Sequence, residues 1–184
     1  MKYNPDIIKS NKKTVSVEVS PDGKVTLRVP ERMTYREIEK FVESRSAWIE
    51  KTLAKYNSLS DTDLVPFTDE ELSQMTQKAK LIIPPRVEYY AKLMGVSYNK
   101  VSVRTVKTRW GSCSSTKNLS FNCLLVLTPP EVMDSVIVHE LCHLKEMNHS
   151  KRFYNEIYKV MPDYDKYEAW LKSNSIRFIS RLKK

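Results

Sequence analysis

Glycine is scarce in this sequence: three residues among 184, Gly23, Gly95 and Gly111. That scarcity excludes glycine-rich phosphate loops, and neither GxGxxG nor GxxxxGKS/T occurs. Cysteine is equally rare. Cys113, Cys123 and Cys142 are odd in number and lack CxxC spacing, which argues for reduced thiols rather than a disulfide framework. No apolar run approaches the ~18 residues that a membrane-spanning helix needs. Met1 to Lys13 has no apolar run of signal-peptide type, so the expected location is the cytosol. Acidic side chains vanish across residues 96–130, where Lys100, Arg104, Lys107, Arg109 and Lys117 stand alone. With a net charge of +9, the chain attracts anionic partners, nucleic acid among them. The plainer reading of that charge is a solvated basic surface, since no nucleic-acid motif accompanies it.

What is present is concentrated. The chain has three histidines, His139, His143 and His149, and all fall within eleven residues. Around them the chain reads as an α+β protein. Val15, Val17 and Val19 alternate with polar residues, Ser20-Pro21-Asp22-Gly23 supplies a turn, and Val25, Leu27 and Val29 alternate again. Thr34 and Glu37 form a capping box for one helix carrying Ile38, Phe41, Val42, Ile49 and Leu53, with Trp48 as a packing residue. Residues 56–68 read as a linker or surface loop. The expected organisation is therefore an N-terminal hairpin and helix over 1–66, followed by a core over 67–184.

Thr68 and Glu71 open a second helix, which Pro84-Pro85 should break or kink. Gly95 should end it. Val101 and Val103 begin a strand, Arg109 to Ser115 reads as a polar loop, and Leu119 to Leu127 as a second strand. Thr128 is the expected cap of a helix running to about Leu144 or Lys145, with Pro129 at its first position. Ser150 should cap the next helix, and Pro162 should end it before a last helix through Tyr167, Trp170 and Leu171. The basic tail from Ser173 is expected to fray.

Residues 139–143 read His-Glu-Leu-Cys-His. On a helix, side chains four apart share a face, so His139 and His143 can bind one metal ion. Glu140 lies about 100° round the helix, beside that ion, where it can take a proton from water. This is the HExxH zinc-hydrolase pattern, with imidazoles as ligands and glutamate as general base. His149 is the expected third ligand. A helix continued to 149 would carry it about 9 Å beyond His143, so the helix must end and the chain turn back. Glu146-Met147-Asn148 is suitable sequence for that turn. Glu156 on the following helix is the competing third ligand.

Further motifs accompany these: Arg109-Trp110-Gly111-Ser112-Cys113-Ser114, Asn118-Leu119-Ser120-Phe121-Asn122, Pro129-Pro130-Glu131-Val132, Asn148-His149 and Arg152-Phe153. Together with His139-Glu140-Leu141-Cys142-His143 they resemble the YgjP-like metallopeptidase family, related to SprT-like and WLM-type zinc peptidases. The resemblance spans about residues 15–172. It implies a minimal zincin-like fold, a zinc ion on His139, His143 and His149, and Glu140 as catalytic residue.

Other candidates rest on less. Arg109 and Trp110 could line the cleft. Asn118 and Asn122 flank a strand that could present an edge to an extended peptide. Tyr154, Tyr158 and Tyr164 are candidates to stabilise an oxyanion. Cys142 and Trp170 read as packing residues. The expected activity is zinc-dependent peptide or protein hydrolysis. Hydrolysis of a phosphate-containing substrate such as a nucleotide, and a nucleic-acid-associated protease, are the alternatives. The sequence leaves oligomeric state open.

Overall fold

A computed structural model describes residues 4–20 and 22–182 of the chain. Pro21, part of the expected hairpin turn, lies outside the described residues. The chain divides into two compact units, one ending at Pro66 and the other starting at Phe67.

The first unit is a three-stranded sheet, β1 (Asp6–Ser10), β2 (Ser16–Val19) and β3 (Val25–Pro30), with two helices, α1 (Tyr35–Ser44) and α2 (Ser46–Asn57). The order is β1-β3-β2, with β2 antiparallel and β1 parallel to β3. Val25, Leu27 and Val29 point into a core with Val19, Ile38, Val42 and Ile49, as the alternation predicts. Gly23 adopts φ +79° in the connecting turn, a conformation that glycine reaches without Cβ strain. The sequence reading missed β1. Asp6-Ile7-Ile8-Lys9-Ser10 does not alternate, because this edge strand buries little and leaves Ile8 exposed. The single helix expected after Thr34 is two. The Thr34–Glu37 box starts α1, but Arg45 leaves helical geometry at φ −106°, ψ 2° and α2 begins after it. Trp48 is not a packing residue: it is 47% exposed.

The second unit begins with α4 (Asp69–Met94), preceded by the short α3 (Asp61–Leu64) of the first unit. The Thr68–Glu71 box is reciprocal: the Thr68 amide donates to Glu71 Oε2 at 2.7 Å, and the Glu71 amide to Thr68 Oγ1 at 3.1 Å. Pro84 and Pro85 do not break the helix. The carbonyls that lose their donors belong to Lys80 and Leu81, both exposed, so water can replace the missing bonds. The buried stripe Ala79, Ile83, Val87, Ala91 and Met94 holds the helix to the core. Gly95 ends it in the left-handed region, φ +64°.

A second sheet follows: β4 (Lys100–Arg104), β5 (Gly111–Cys113) and β6 (Asn118–Asn122), in the order β4-β6-β5. β6 is parallel to β4 and antiparallel to β5. The stretch expected as a polar loop therefore contains β5. The expected strand Leu119 to Leu127 stops at Asn122, and Cys123–Leu127 forms a buried 3-10 turn. Its continuous apolar run reads the same for a buried strand or a buried turn, so periodicity could not separate them.

The histidine-bearing helix α5 (Pro130–Cys142) starts one residue later than expected, with Pro129 as its cap and Pro130 at its first position. The Thr128 hydroxyl instead donates back to Leu125 O at 2.8 Å, closing the 3-10 turn. α5 is buried on almost every side. Two further helices, α6 (Lys151–Val160) and α7 (Tyr164–Ile179), complete the unit. The tail does not fray at Ser173, because α7 continues to Ile179 and Leu182 is buried. The architecture is α+β.

Candidate metal centre

α5 is fixed in rotation by a network that the sequence reading did not find. Arg86 Nη1 on α4 donates to both carboxylate oxygens of Asp134 at 2.6 and 2.7 Å, and Tyr90 Oη donates to Asp134 Oδ2 at 3.0 Å. Asp134 is buried, so its charge needs these partners. Nothing local in the sequence ties residue 134 to residues 86 and 90.

α5 then ends at Cys142, two or three residues before the expected stop, with His143 as its cap. The Lys145 and Glu146 amides both donate to Cys142 O, at 2.9 and 3.0 Å, and close the last turn. The chain reverses before α6. Cys142 Sγ donates to Phe153 O at 3.2 Å, which pins the start of α6 to the end of α5 and accounts for this buried thiol as a core residue. Phe153, fully buried, supports the cluster from below. Its ring centroid lies 4.9, 4.7 and 4.8 Å from those of His139, His143 and His149.

The reversal brings the three imidazoles together. One nitrogen from each lies within 4.8 Å of the others, and His149 Nε2 is 3.1 Å from His139 Nε2. Zinc–nitrogen bonds of about 2.0–2.1 Å in tetrahedral geometry put ligand nitrogens roughly 3.3 Å apart. The His139–His149 pair matches this spacing, and the remaining separations, within 4.8 Å, close further around a divalent metal ion. Two of the opposite ring nitrogens are already engaged. His139 Nδ1 and Tyr164 Oη are 2.8 Å apart, and His143 Nδ1 lies 3.3 Å from Glu146 O. Such partners fix the tautomer that leaves Nε2 free to ligate. Burial, then the neighbouring His143 and His149, pushes the His139 imidazole down to about 4. Burial also lowers His143. Both shifts favour the neutral imidazole that a metal ligand requires. Burial raises the Tyr164 phenol, which stays protonated.

Glu140 is buried beside this cluster. Its carboxyl packs on the backbone of β5: a Cβ placed on Gly111 would lie 2.6 Å from both Glu140 Cγ and Oε1. Only glycine leaves that space. Burial pushes the Glu140 carboxyl up to about 7, against an opposing pull from the Arg109 cation. Arg109, Trp110, His139 and Glu140 line one cavity of about 300 Å³.

The remaining candidates separate. Asn122 is buried and its amide is spent on the scaffold. Nδ2 donates to Val106 O at 2.6 Å and Arg109 O at 3.0 Å, and Oδ1 accepts from the Leu124 amide at 3.1 Å. It shapes the turn that presents Arg109. Asn118 is exposed, and its Nδ2 donates to Thr116 Oγ1 at 2.9 Å. The strand between them, β6, is central rather than an edge. Strand order depends on tertiary pairing, which alternation does not encode. Tyr154 lies near His149 with the rings tilted and centroids 6.5 Å apart, and does not line the cavity. Tyr158 Oη donates to Asp165 at 2.8 Å. Tyr164 is the tyrosine at the cluster, through His139. Glu156 is not in the histidine cluster; it pairs with Lys145 at 2.9 Å and with Lys159. Trp170 is half-buried and stacks on Phe178 at 6.3 Å.

The YgjP-like metallopeptidase domain matches residues 13–73 and 68–174. This chain belongs to the YgjP-like metallopeptidase family. It is a hydrolase of the metallopeptidase class, and the histidine cluster is suited to the metal ion that the class requires. No curated protein matches the sequence. Two solved metallopeptidase zymogens are similar over half of the chain. Abylysin of Pyrococcus abyssi is 22% identical with a TM-score of 0.47, covering 50% of this chain and 94% of its own. Jannalysin of Methanocaldococcus jannaschii is 24% identical with a TM-score of 0.46, covering 50% of this chain and 96% of its own. Among the described residues, no helix of this YgjP-like chain is long and apolar enough to cross a membrane.

Proposed function

We propose that this YgjP-like protein is a zinc-dependent peptidase in which His139, His143 and His149 hold the ion and Glu140 is the general base. The observation that supports this best is the convergence of three imidazole nitrogens, within 4.8 Å, beside a buried carboxyl. When bound, the ion supplies Lewis-acid polarisation of the scissile carbonyl and lowers the pKa of water. Glu140, a carboxyl raised by burial and placed beside the histidines, suits proton transfer in both directions. It accepts the proton of the attacking water and passes it to the leaving amine as the carbon–nitrogen bond breaks. Tyr164 keeps His139 oriented through Nδ1. Gly111 holds open the space that Glu140 occupies. β5, an edge of its sheet, offers backbone groups to an extended peptide, a role the sequence reading gave to β6. All three cysteines are free, in keeping with a protein of the reducing cytosol.

The test is Glu140→Gln beside His139→Ala, assayed on unstructured peptides and, in parallel, on nucleoside triphosphates. Glu140→Gln should keep its zinc and lose peptide turnover, whereas His139→Ala should lose the zinc. Full peptide turnover in Glu140→Gln would remove the mechanism, and turnover of the triphosphates alone would move the substrate class.

A further inference from the structure

The cavity that contains Glu140 and His139 extends beyond them, and its other walls say what it can hold. Trp110, Val136 and Leu171 give it an apolar lining. Trp110 is not a loose side chain. Its Nε1 donates to Ser175 Oγ on α7 at 3.0 Å, and its ring meets Phe178 edge-on with centroids 6.2 Å apart. The indole is therefore a fixed wall. Two charged side chains of α7 also reach the cavity, but Lys172 Nζ and Glu168 Oε2 are 2.8 Å apart and largely satisfy each other.

Size narrows the occupant. About 300 Å³ lies at the small end of ligand pockets, which suits one large side chain and excludes a folded element. Position narrows it again. An extended chain advances ~3.3 Å per residue, so a peptide with its scissile carbonyl at Glu140 must bring a flanking side chain to this opening.

We propose that this cavity binds one bulky apolar side chain, aliphatic or aromatic, of a residue flanking the scissile bond, and that Trp110 and Leu171 set that preference. This rests on the peptidase reading above. The preferred substrates are peptides carrying leucine, methionine or phenylalanine at that position. Glycine leaves the apolar wall uncovered. Aspartate brings a charge against the wall of Trp110, Val136 and Leu171, where Lys172 is paired with Glu168 and Arg109 already acts on Glu140, so its desolvation is penalised.

The experiment is a peptide library varied at the positions on either side of the scissile bond. It is hydrolysed by the zinc-loaded wild type, with Glu140→Gln as blank. At one flanking position kcat/KM should favour leucine, methionine or phenylalanine over glycine and aspartate by at least about tenfold. Leu171→Trp, which narrows the cavity, should shift the order toward glycine and alanine. Leu171→Ala serves if that variant does not fold, and should widen acceptance toward tryptophan. A second readout needs no turnover: binding of uncleaved leucine and glycine peptides to Glu140→Gln, followed by indole fluorescence, should differ by at least about tenfold. A flat or charge-selective profile with Glu140-dependent cleavage overturns the cavity assignment and leaves the peptidase reading standing. Absence of Glu140-dependent cleavage from every peptide overturns both.

Discussion

Tyr164→Phe isolates one bond at the histidine cluster. The phenol oxygen lies 2.8 Å from His139 Nδ1, and Tyr164 is only 3% exposed. Phenylalanine keeps the ring and its packing and removes the oxygen alone. When His139 ligates through Nε2, its Nδ1 carries a proton that the Tyr164 oxygen accepts. Without that oxygen, a half-buried N–H loses its acceptor, which costs about 1–3 kcal/mol. Part of this cost falls on the metal-free protein, whose imidazole can still change tautomer. The remainder falls on binding. Losing such partners of a ligating imidazole lowers metal affinity about 10–100-fold, or about 1.4–2.8 kcal/mol. The expected result is a zinc dissociation constant raised within that range, with the fold intact by circular dichroism. Competition titration against a chromophoric chelator measures it. Tyr154→Phe is the control, because Tyr154 meets His149 only as a ring neighbour at 6.5 Å. If both variants bind zinc as the wild type does, the orienting role of Tyr164 is refuted.

Gly111→Ala should leave zinc affinity unchanged while displacing Glu140, whose Oε1 lies 2.6 Å from the added Cβ. A displacement of about 1 Å at a catalytic group costs on the order of 10²-fold in rate, so peptide kcat should fall toward that extent. Wild-type kcat would show that Glu140 tolerates the added methyl. Asp134→Ala leaves Arg86 and Tyr90 without their shared acceptor. Because Arg86 keeps 36% of its side chain exposed, the loss should be about 1–3 kcal/mol in urea unfolding rather than the larger cost of a fully buried charge. Glu156 should titrate far below an ordinary carboxyl. Its hydrogen bonds to Lys159 and Lys145 lower it to about 2, and Lys145→Ala should raise it in an NMR titration. A depressed carboxyl adds stability above its unfolded pKa and loses it on acidification. This contribution therefore fades from about pH 4 down to about pH 2, and earlier at high salt.

The local signals in the sequence and the folded chain agree where neighbours decide the outcome. Two Thr–Glu capping boxes, the Gly95 stop and the alternation of Val25, Leu27 and Val29 depend on residues a few positions apart. The spacing of His139 and His143 belongs to the same class, and so does the need for a turn before His149. The mismatches arise where distant partners decide. Pro84 and Pro85 stay helical because a buried stripe outweighs two missing donors. Residues 123–127 form a 3-10 turn where a strand was expected, since a continuous apolar run suits either form. β1 was invisible because an exposed edge strand has no pattern to show.

Chemistry was therefore determined by the sequence alone: three imidazoles and a glutamate at spacings that a helix and one reversal can unite. The tertiary structure decided everything that depends on contacts between distant segments. Phe153 lies under the imidazoles, Tyr164 reaches His139 from twenty-five residues away, and Asp134 is locked to α4. It placed β6 between β4 and β5, spent Asn122 on the scaffold and set Trp110 against α7 as a cavity wall. The physical reason is range. Helix phase and capping act within about four residues, whereas strand order, burial and the partner of a buried polar group are set by whichever surface the fold brings opposite.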